Sequence, residues 1–323
     1  MKTPRSRDTE KPLIQKLLAP FASAGQKPIL VPAGTDDAAI LNWGGSRLAV
    51  TMDTLTESVD FEHSWMPSRF LGYKSLAVNL SDLAAMGAAA QFAMLSVTLN
   101  KARFSTKKLQ SQFFTQFSRG FHSCASEFGV QLIGGDLGSS LRETSVSVCV
   151  FGHAPRRPLK RNVAKPGDLI VVAGHLGLAR RGLRSLMANK KPTRREAQAF
   201  FKPKPLIKLG ARLSQIKAVH AAMDISDGLS RDLGRLCSQN QLGFEVDLKS
   251  LREPERLDAW VGGEDYALLL AVDPRGYALV QEAVQNLGVS LWHLGTFSSQ
   301  TKLQRVVGLP GSKNGLPAGF EHF

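Results

Sequence analysis

The chain has 323 residues, of which 43% are hydrophobic and 21% charged, so a disordered chain and a coiled coil are excluded. The length predicts about two domains, each with a hydrophobic core of its own. Lysine and arginine total 41 against 27 acidic residues, so the chain is strongly basic. The longest nearly apolar stretch, residues 83–97, is shorter than the ~20 residues that cross a bilayer, so a membrane protein is not expected.

The first half of the chain predicts alternating strands and helices. Helices are expected at residues 12–19, 69–86 and 106–128, and strands at 47–52, 92–99, 131–133 and 144–152. The third helix has the clearest periodicity, because Phe113, Phe117 and Phe121 are each four residues apart. This spacing predicts a helix with one buried face.

The second half restarts the alternation after a polar joint at residues 156–158, so we expect two domains, 1–154 and 155–323. In the second domain, strands are expected at 168–173, 219–223, 266–272 and 292–297, and helices at 176–188, 205–216, 229–238 and 275–287. Two halves that each mix strands with helices predict an α/β fold of the α+β type.

Positive charge is concentrated in residues 155–217, which contain 17 basic and two acidic residues. Two explanations compete for this segment: an anionic partner such as nucleic acid, or a solvated surface. No interleaved aromatic residues, helix-turn-helix or zinc module accompany the basic residues. Nucleic-acid binding is therefore not expected, and a solvated face of the second domain is favoured.

The cysteines and the first residues bear on the cellular compartment. Cys124, Cys149 and Cys237 lie far apart, which argues against a disulfide framework or a zinc site and favours a reducing compartment. The first twelve residues are basic but lead into no apolar segment of the kind found in secretory signals. We therefore expect a cytoplasmic protein.

Acidic residues in apolar or glycine-rich surroundings are the feature that points to chemistry. They are Asp36, Asp37, Asp53, Asp82, Asp136, Asp224, Asp227, Glu264 and Asp265. A carboxylate removed from water costs several kcal/mol unless it is paired or bound to a metal, and basic residues are rare in these windows. Shared Mg²⁺ ions that bridge to phosphates would supply the compensation.

Most of these positions also have an ordinary structural explanation. The alternatives are turns or helix caps at Asp36, Asp37, Asp224 and Asp227, a turn at residues 134–136, and a hairpin entry at residues 262–265. Asp82 differs, because it lies inside an apolar helical pattern where a cap is not expected. The joint occurrence of so many acidic sites favours a metal-assisted reaction.

Eight motifs are spread along nearly the whole chain. In order they are DDAAIL (36–41), TMDTLTESVDF (51–61), GYKSLAVNLSDLAAMGA (72–88), IGGD (133–136), KRNVAKPGD (160–168), MDISDGLSRDLGRL (223–236), GGEDYALLL (262–270) and GFEHF (319–323). With these motifs the chain resembles the thiamine-monophosphate kinases, a family in the superfamily of aminoimidazole ribonucleotide synthetase and selenophosphate synthetase.

The resemblance implies a two-domain subunit like aminoimidazole ribonucleotide synthetase, whose N-terminal mixed sheet forms a homodimer and binds ATP without a P-loop. It implies transfer of the γ-phosphoryl group of ATP to thiamine monophosphate, with several Mg²⁺ ions. Both reacting groups are anionic phosphates, so metal ions must screen their repulsion and no strong general base is required. The alternatives are a divergent member acting on another phosphorylated metabolite and a non-catalytic nucleotide-binding protein.

The resemblance also assigns residues to roles. Metal positions are matched by Asp37, Thr51, Asp53, Asp82, Asp136, Asp224 and Asp227, nucleotide positions by Gly135, Asp136, Arg161 and Ser226, and substrate positions by Asp60, Glu264 and Phe320. Arg161 would offer a planar fork of donors to phosphate oxygens. Phe320 could cover a cationic or aromatic ring.

The chain departs from the family pattern at four places. Thr35 replaces a glycine, Met52 replaces a hydroxyl residue, and Asp60 replaces a histidine. Residues 137–140, Leu-Gly-Ser-Ser, replace a turn that is usually rich in threonine. A carboxylate at position 60 would repel a substrate phosphate unless a metal intervenes, so a changed substrate specificity stays open.

Overall fold

The computed structural model of the chain describes residues 10–19, 28–309, 317, 319 and 320. The first of its two six-stranded sheets has the order β1-β2-β3-β6-β4-β5. Its strands are β1 (Ile29–Val31), β2 (Ala39–Trp43), β3 (Ser46–Thr56), β4 (Ala89–Asn100), β5 (Gln131–Ser140) and β6 (Ser145–His153). Neighbouring strands are antiparallel except for β4 and β5, which are parallel.

The second sheet is built from the second half of the chain and has the order β12-β9-β11-β7-β10-β8. Its strands are β7 (Leu169–Ala173), β8 (Val219–Ile225), β9 (Gly243–Asp247), β10 (Ala267–Val272), β11 (Leu291–Ser298) and β12 (Gln304–Val307). Here the single parallel pair is β9 and β12. Each sheet is therefore mixed, with its parallel pair at one edge.

Helices accompany both sheets. They are α1 (Glu10–Leu18), α2 (Ser68–Ala85), α3 (Lys107–Phe128), α4 (Leu178–Met187), α5 (Arg194–Phe201), α6 (Ile207–Leu213), α7 (Leu229–Asn240), α8 (Glu253–Val261) and α9 (Tyr277–Gln285). No helix in the described part of the chain is both long enough and apolar enough to span a membrane. The expected α/β fold with a mixed sheet in the first half is confirmed, and the sheet of the second half is mixed as well.

Helix α2 is the element that joins the two halves. Its residues from Leu71 to Ala85 are all buried except Asp82. One side packs on α3 and the first sheet, and the other packs on α6 and on β8 of the second sheet. Other elements therefore enclose α2 on nearly all sides, and its polar residues Lys74, Asn79 and Ser81 are buried along with its apolar ones.

Helix α3 confirms the periodicity of its phenylalanines, because Phe113, Phe117 and Phe121 are all buried. It begins after Thr106, whose side chain accepts a hydrogen bond from the backbone N–H of Leu109. It ends at Gly129, which adopts a left-handed conformation (φ +71°). Local capping signals and a buried stripe together account for both ends of this helix.

The hydrophobic cores extend across the polar joint at residues 156–158. Phe200 of α5 belongs to the core of the first sheet. Conversely, Ala84 and Ala85 of α2 pack with Leu209 and other residues of the second half. The two halves are thus held together by apolar contacts as well as by the chain itself.

Strand β5 is longer than the sequence predicts. The strand expected at residues 131–133 continues to Ser140, so residues 134–136 form part of β5 and the turn favoured there is wrong. Gly135 permits this strand pairing, because a Cβ at that position would lie 1.7 Å from the carbonyl oxygen of Leu95. Elements not predicted are β1, β2, β9, β12, α5 and α8, most of them short.

The basic segment, residues 155–217, includes the exposed residues Lys190, Lys191, Arg194 and Arg195 at the end of α4 and the start of α5. Other basic residues have partners within the protein. Arg180 and Arg184 both bind the buried carboxylate of Asp258, with N–O distances of 3.1 and 3.0 Å, and Arg157 donates to four backbone carbonyls. The segment therefore combines a solvated surface with internal ion pairs.

The close approach of α2 and α3 predicts the effect of a small substitution. A Cβ at Gly120 would lie 1.7 Å from the carbonyl oxygen of Arg69. We expect Gly120→Ala to lower the free energy of unfolding by about 1–3 kcal/mol, because the helices must separate. On α7, a Cβ at Gly234 has no atom within 4 Å, so Gly234→Ala is the matched control. We expect it to raise the free energy of unfolding by up to ~1 kcal/mol, because alanine favours a helix over glycine. Denaturant unfolding measures both variants, and equal stability of the two would contradict the packing argument.

Candidate active site

A cavity of about 1130 Å³ is lined by residues from both halves of the chain. The residues assigned from the sequence that line it are Asp37, Thr51, Asp53, Asp60, Asp82, Arg161, Asp224, Ser226, Asp227, Glu264 and Phe320. They come from β3, α2, β8 and the loops around them. Positions spread over nearly 290 residues of sequence are thus brought to one concave surface.

The centre of the cavity is a cluster of three carboxylates: Asp37, Asp82 and Asp224. One oxygen from each lies within 4.8 Å of those of the other two. Asp37 follows β1 and leads into β2, Asp82 is in the last turn of α2, and Asp224 is on β8. Since Asp37 precedes a strand and Asp224 lies within one, the helix-cap explanation fails for both.

The cluster is partly satisfied by hydroxyl groups. Thr51 Oγ1 donates to Oδ2 of Asp82 over 2.6 Å, and Ser81 Oγ donates to Oδ2 of Asp224 over 2.7 Å. Oδ2 of Asp37 is buried and accepts no hydrogen bond from any residue that the structure describes. A buried carboxylate oxygen without a donor is costly, so this atom points to a missing positive partner.

The electrostatics of the cluster disfavour its charged form. Burial, followed by the charges of neighbouring acids, raises the pKa of Asp82 and of Asp224 well above the usual value. The pKa of Asp53 rises to about 6 for the same two reasons, and among the neighbouring acids Asp60 has the largest effect. Without a cation, these carboxyl groups retain protons at a pH where ordinary aspartates have lost them.

Arg161 is the cation that lies against the first acidic pair. Its guanidinium binds the carboxylate of Asp37, and its backbone N–H donates to Asp36 over 3.2 Å. Burial and the charge of Asp37 nevertheless raise the pKa of Asp36 to about 7. Asn240 of α7 holds this segment through a 2.7 Å hydrogen bond to the carbonyl of Arg161. The guanidinium therefore lines the cavity directly beside the acidic cluster.

Asp227 lies in the loop between β8 and α7 and belongs to a second charged group. Its carboxylate is 2.5 Å from Arg235, which also contacts the buried Asp232 over 3.1 Å. The backbone N–H of Asp227 donates to Asp232 as well. Helix α7 is capped at Gly228 without a side-chain hydrogen bond, so Asp227 does not serve as its cap.

The assigned substrate residues line the same cavity. Asp60 Oδ2 accepts a 2.7 Å hydrogen bond from the backbone N–H of Thr56. Glu264 is in the loop between α8 and β10, so residues 262–265 do not enter a hairpin. Phe320 donates its N–H to the carbonyl of Asp227, and Arg231 binds the carbonyl of Phe320. Residues 321–323 of the GFEHF motif lie outside the described residues.

Gly135 and Asp136 are not among the residues that line the cavity. Asp136 is on β5, where it pairs in register with Ser96 of β4, which pairs with Ser147 of β6 and so with Thr54 of β3. Three strand spacings separate its backbone from that of Thr54, or about 14 Å. A single chain does not bring Asp136 to the carboxylate cluster.

Three residues at the cavity or against it were not expected from the sequence. Asn79 Oδ1 accepts the backbone N–H of Asp53 over 2.9 Å, Arg235 pairs with Asp227, and Lys74 pairs with Glu264 over 2.5 Å. Lys74 and Asn79 precede Asp82 on α2, and polar residues inside an apolar helical pattern were the available signal. Arg235 carried no such signal.

Comparison with known proteins identifies the class that this fold and cavity define. Residues 35–154 match the N-terminal domain, and residues 165–308 the C-terminal domain, of the AIR synthase related proteins. A thiamine-monophosphate kinase of Salmonella typhimurium is 32% identical over 312 residues, covering 89% of this chain and 90% of the relative. The chain belongs to the thiamine-monophosphate kinase family of the AIR synthase related proteins.

Solved structures agree with this assignment. The crystal structure of thiamine-monophosphate kinase from Stenotrophomonas maltophilia K279a has a TM-score of 0.72 at 31% identity and covers 92% of this chain and 96% of that one. The structure of AaThiL complexed with AMPPCP and TMP has a TM-score of 0.77 over 96% of each chain, at 24% identity. The second comparison shows the shared fold.

The buried carboxylates predict a test of metal binding through stability. Burial and neighbouring acids raise the pKa of Asp82 in the folded protein above its value in the unfolded chain. The free energy of unfolding therefore falls as the pH rises from the unfolded pKa to the folded pKa, where the buried carboxyl group must lose its proton. We expect Asp82→Asn to raise the melting temperature of the metal-free protein near pH 8, and the gain to shrink toward pH 5. Added Mg²⁺ should stabilise the wild type and not this variant.

Differential scanning fluorimetry with and without Mg²⁺ measures both effects. Asp247→Asn, at an exposed carboxylate of β9, is the matched control and should keep the wild-type response to Mg²⁺. A full Mg²⁺ response in Asp82→Asn would rule out this cluster as the metal site.

Proposed function

We propose that this chain transfers the γ-phosphoryl group of ATP to thiamine monophosphate, giving thiamine diphosphate and ADP. The observation that carries the proposal is the convergence of Asp37, Asp82 and Asp224 in a cavity that Arg161 also lines. Phosphoryl transfer between two anionic groups depends on such positioned charges rather than on a strong base. The relatives named thiamine-monophosphate kinase and the AaThiL complex with AMPPCP and TMP support the choice of substrates.

Mg²⁺ fits the carboxylate cluster. Hard divalent cations prefer carboxylate oxygens. Two observations support a cation here: Oδ2 of Asp37 has no donor among the described residues, and the pKa values of Asp82 and Asp224 are raised. These three residues would hold the ion, and Thr51 and Asp53 of β3 lie beside them. When bound, the ion neutralises charge on the phosphates and holds them in position.

The protein's own side chains have distinct tasks in this proposal. Arg161 donates to phosphate oxygens, since its guanidinium lines the cavity next to Asp37. Trp65, Leu183 and Phe320 contribute apolar surface to the same cavity, which suits an aromatic substrate. The acceptor phosphate is already deprotonated near neutral pH, so no side chain is required to remove its proton.

The departures from the family pattern fall outside the three-carboxylate cluster. Met52 is 62% exposed and lines the cavity, so it replaces a hydroxyl by an apolar surface. Asp60 is engaged with the backbone of Thr56, which stabilises the turn after β3 and orients its carboxylate. Residues 137–140 lie on β5 and away from the cavity of the same chain. The proposed metal ligands Asp37, Asp82 and Asp224 thus keep the residue types of the family, and Met52 and Asp60 alter their surroundings.

Turnover tests this proposal directly. The purified protein should form thiamine diphosphate from thiamine monophosphate with ATP and Mg²⁺, measured by chromatography. We expect Asp227→Asn to reduce kcat by about 10²- to 10³-fold, because loss of a carboxylate ligand would weaken binding of the Mg²⁺ that stabilises negative charge in the transition state. Asp247→Asn is the matched control and should retain wild-type turnover. Absence of product from the wild type would overturn the proposed reaction.

We further propose a homodimer formed through the first sheet. Strand β5 is exposed along nearly its whole length, although it carries Leu132, Ile133 and Leu137, and the neighbouring β4 exposes Phe92 and Met94. An exposed apolar strand edge is a site for pairing with another chain. A partner there would also explain why Asp136 lies away from the cavity of its own chain.

Mixed dimers test whether Asp136 serves the partner's cavity. Asp82→Asn and Asp136→Asn should each be nearly inactive alone. If Asp136 completes the partner's site, a mixed dimer has one intact site, and subunit exchange should restore about a quarter of wild-type activity. The control mixes each variant with itself under the same exchange conditions. Recovery of no activity after verified exchange would mean that Asp136 does not act across the interface.

Two further assignments are part of the proposal. We infer a domain boundary between residues 154 and 155, supported by family matches that end at residue 154 and resume at residue 165. We also infer a cytoplasmic location, supported by the free thiols of Cys124, Cys149 and Cys237.

A further inference from the structure

Lys74 is a buried cation beside the cavity that the proposed reaction does not use. Its side chain is 1% exposed, in the first half of α2. Burial of an ammonium group costs several kcal/mol unless it is paired. Here Nζ lies 2.5 Å from Oε1 of Glu264 and 4.2 Å from the ring centre of Phe200. Both partners belong to the second half of the chain, so the contact joins the two halves.

Glu264 is held in one orientation by this contact. Its backbone has φ +64°, and its N–H donates to the carbonyl of Ser226 over 2.7 Å. Its side chain is 25% exposed and lines the cavity, and no described residue other than Lys74 donates a hydrogen bond to its carboxylate. With Oε1 bound to Lys74, Oε2 is left to accept a hydrogen bond from a ligand.

Helix α2 relates this pair to the carboxylate cluster. Lys74, Val78 and Asp82 are spaced four residues apart and so follow one side of the helix. At 1.5 Å per residue, Lys74 and Asp82 are about 12 Å apart along the axis. One rigid, buried helix thus sets the separation between the acidic cluster and Glu264.

Lys74 does not line the cavity, unlike Glu264, Val78 and Asp82. An ammonium group beneath the wall cannot contact a bound phosphate directly, so any effect on a ligand passes through its partners, of which Glu264 is the one that lines the cavity. The remaining partner, Phe200, packs against Trp65 with a ring-centre distance of 5.5 Å, and Trp65 lines the cavity. Lys74 therefore supports both the acceptor and the aromatic wall next to it.

We infer that Lys74 is a positioning residue that orients Glu264 to accept a hydrogen bond from the amino-substituted heteroaromatic ring of the substrate. The inference rests on the proposed function, since it concerns the ring end of the same substrate. A carboxylate fixed at one oxygen accepts in one direction, whereas an unrestrained glutamate loses side-chain entropy when it binds. Discrimination by a positioned acceptor is strong, because a ligand without the donor leaves it unpaired.

The test compares Lys74→Met with Tyr73→Phe. Both change the same turn of α2, but Tyr73 bonds to Glu127 over 3.0 Å and does not line the cavity. We expect Lys74→Met to raise the KM for thiamine monophosphate about tenfold, with kcat and the KM for ATP changed by less than about threefold. Calorimetric Kd values for thiamine monophosphate should follow the KM, and Tyr73→Phe should match the wild type.

A substrate analogue separates positioning from general destabilisation. In the analogue, an oxo group replaces the amino group of the pyrimidine ring. The wild type should prefer the amino compound in kcat/KM, and Lys74→Met should lose most of this preference. A variant that is merely less stable would lose activity toward both compounds equally, and thermal unfolding of each variant monitors that stability.

A double variant shows whether Lys74 acts through Glu264. In the Glu264→Gln background, Lys74→Met should change the KM for thiamine monophosphate by less than about twofold. An equal rise in both backgrounds, or an unchanged preference for the amino compound, would overturn the inference. A wild type that forms no thiamine diphosphate is a separate outcome, which overturns the proposed reaction and with it the ring contact.

Discussion

The convergence of like charges is the constraint on which the rest of this structure depends. Asp37, Asp82 and Asp224 meet within 4.8 Å in a buried place, although each raises the energy of the others. Nothing local brings them together, since they come from a loop, a helix and a strand. The apolar packing around them must therefore supply the stability that holds mutually repelling groups in position, as at many binding sites for cations.

Helix α2 takes part both in the apolar packing and in the charged contacts. It is buried along most of its length, with α3 on one side and α6 and β8 on the other. Its few polar positions are then directed at particular partners: Lys74 to Glu264, Ser81 to Asp224, and Asp82 to the cluster. Any shift of this helix would therefore move the contacts with Glu264 and with the carboxylate cluster together.

The fold could be predicted where the pattern is local. The phenylalanine spacing of α3 and the apolar runs of β7 and β10 are sufficient, because burial alone decides those elements. Only the first three residues of β5 could be recognised as a strand, since Gly134-Gly135-Asp136 has the composition of a turn and becomes a strand only through pairing with β4. Helix α5 was missed in the basic segment, although Thr193 and Glu196 form a capping box at its start.

The candidate site was predictable as a set of residues but not as an arrangement. Motifs identify Asp53 and Asp227, yet only the fold shows that Asp227 pairs with Arg235 while Asp53 lies near the cluster. Basic residues are rare in the sequence next to the acidic residues, and several of their partners come from distant parts of the chain. Lys74 and Glu264 are 190 residues apart in sequence and 2.5 Å apart in space. Charge compensation in this protein is thus a property of the tertiary structure, and local composition underestimates it.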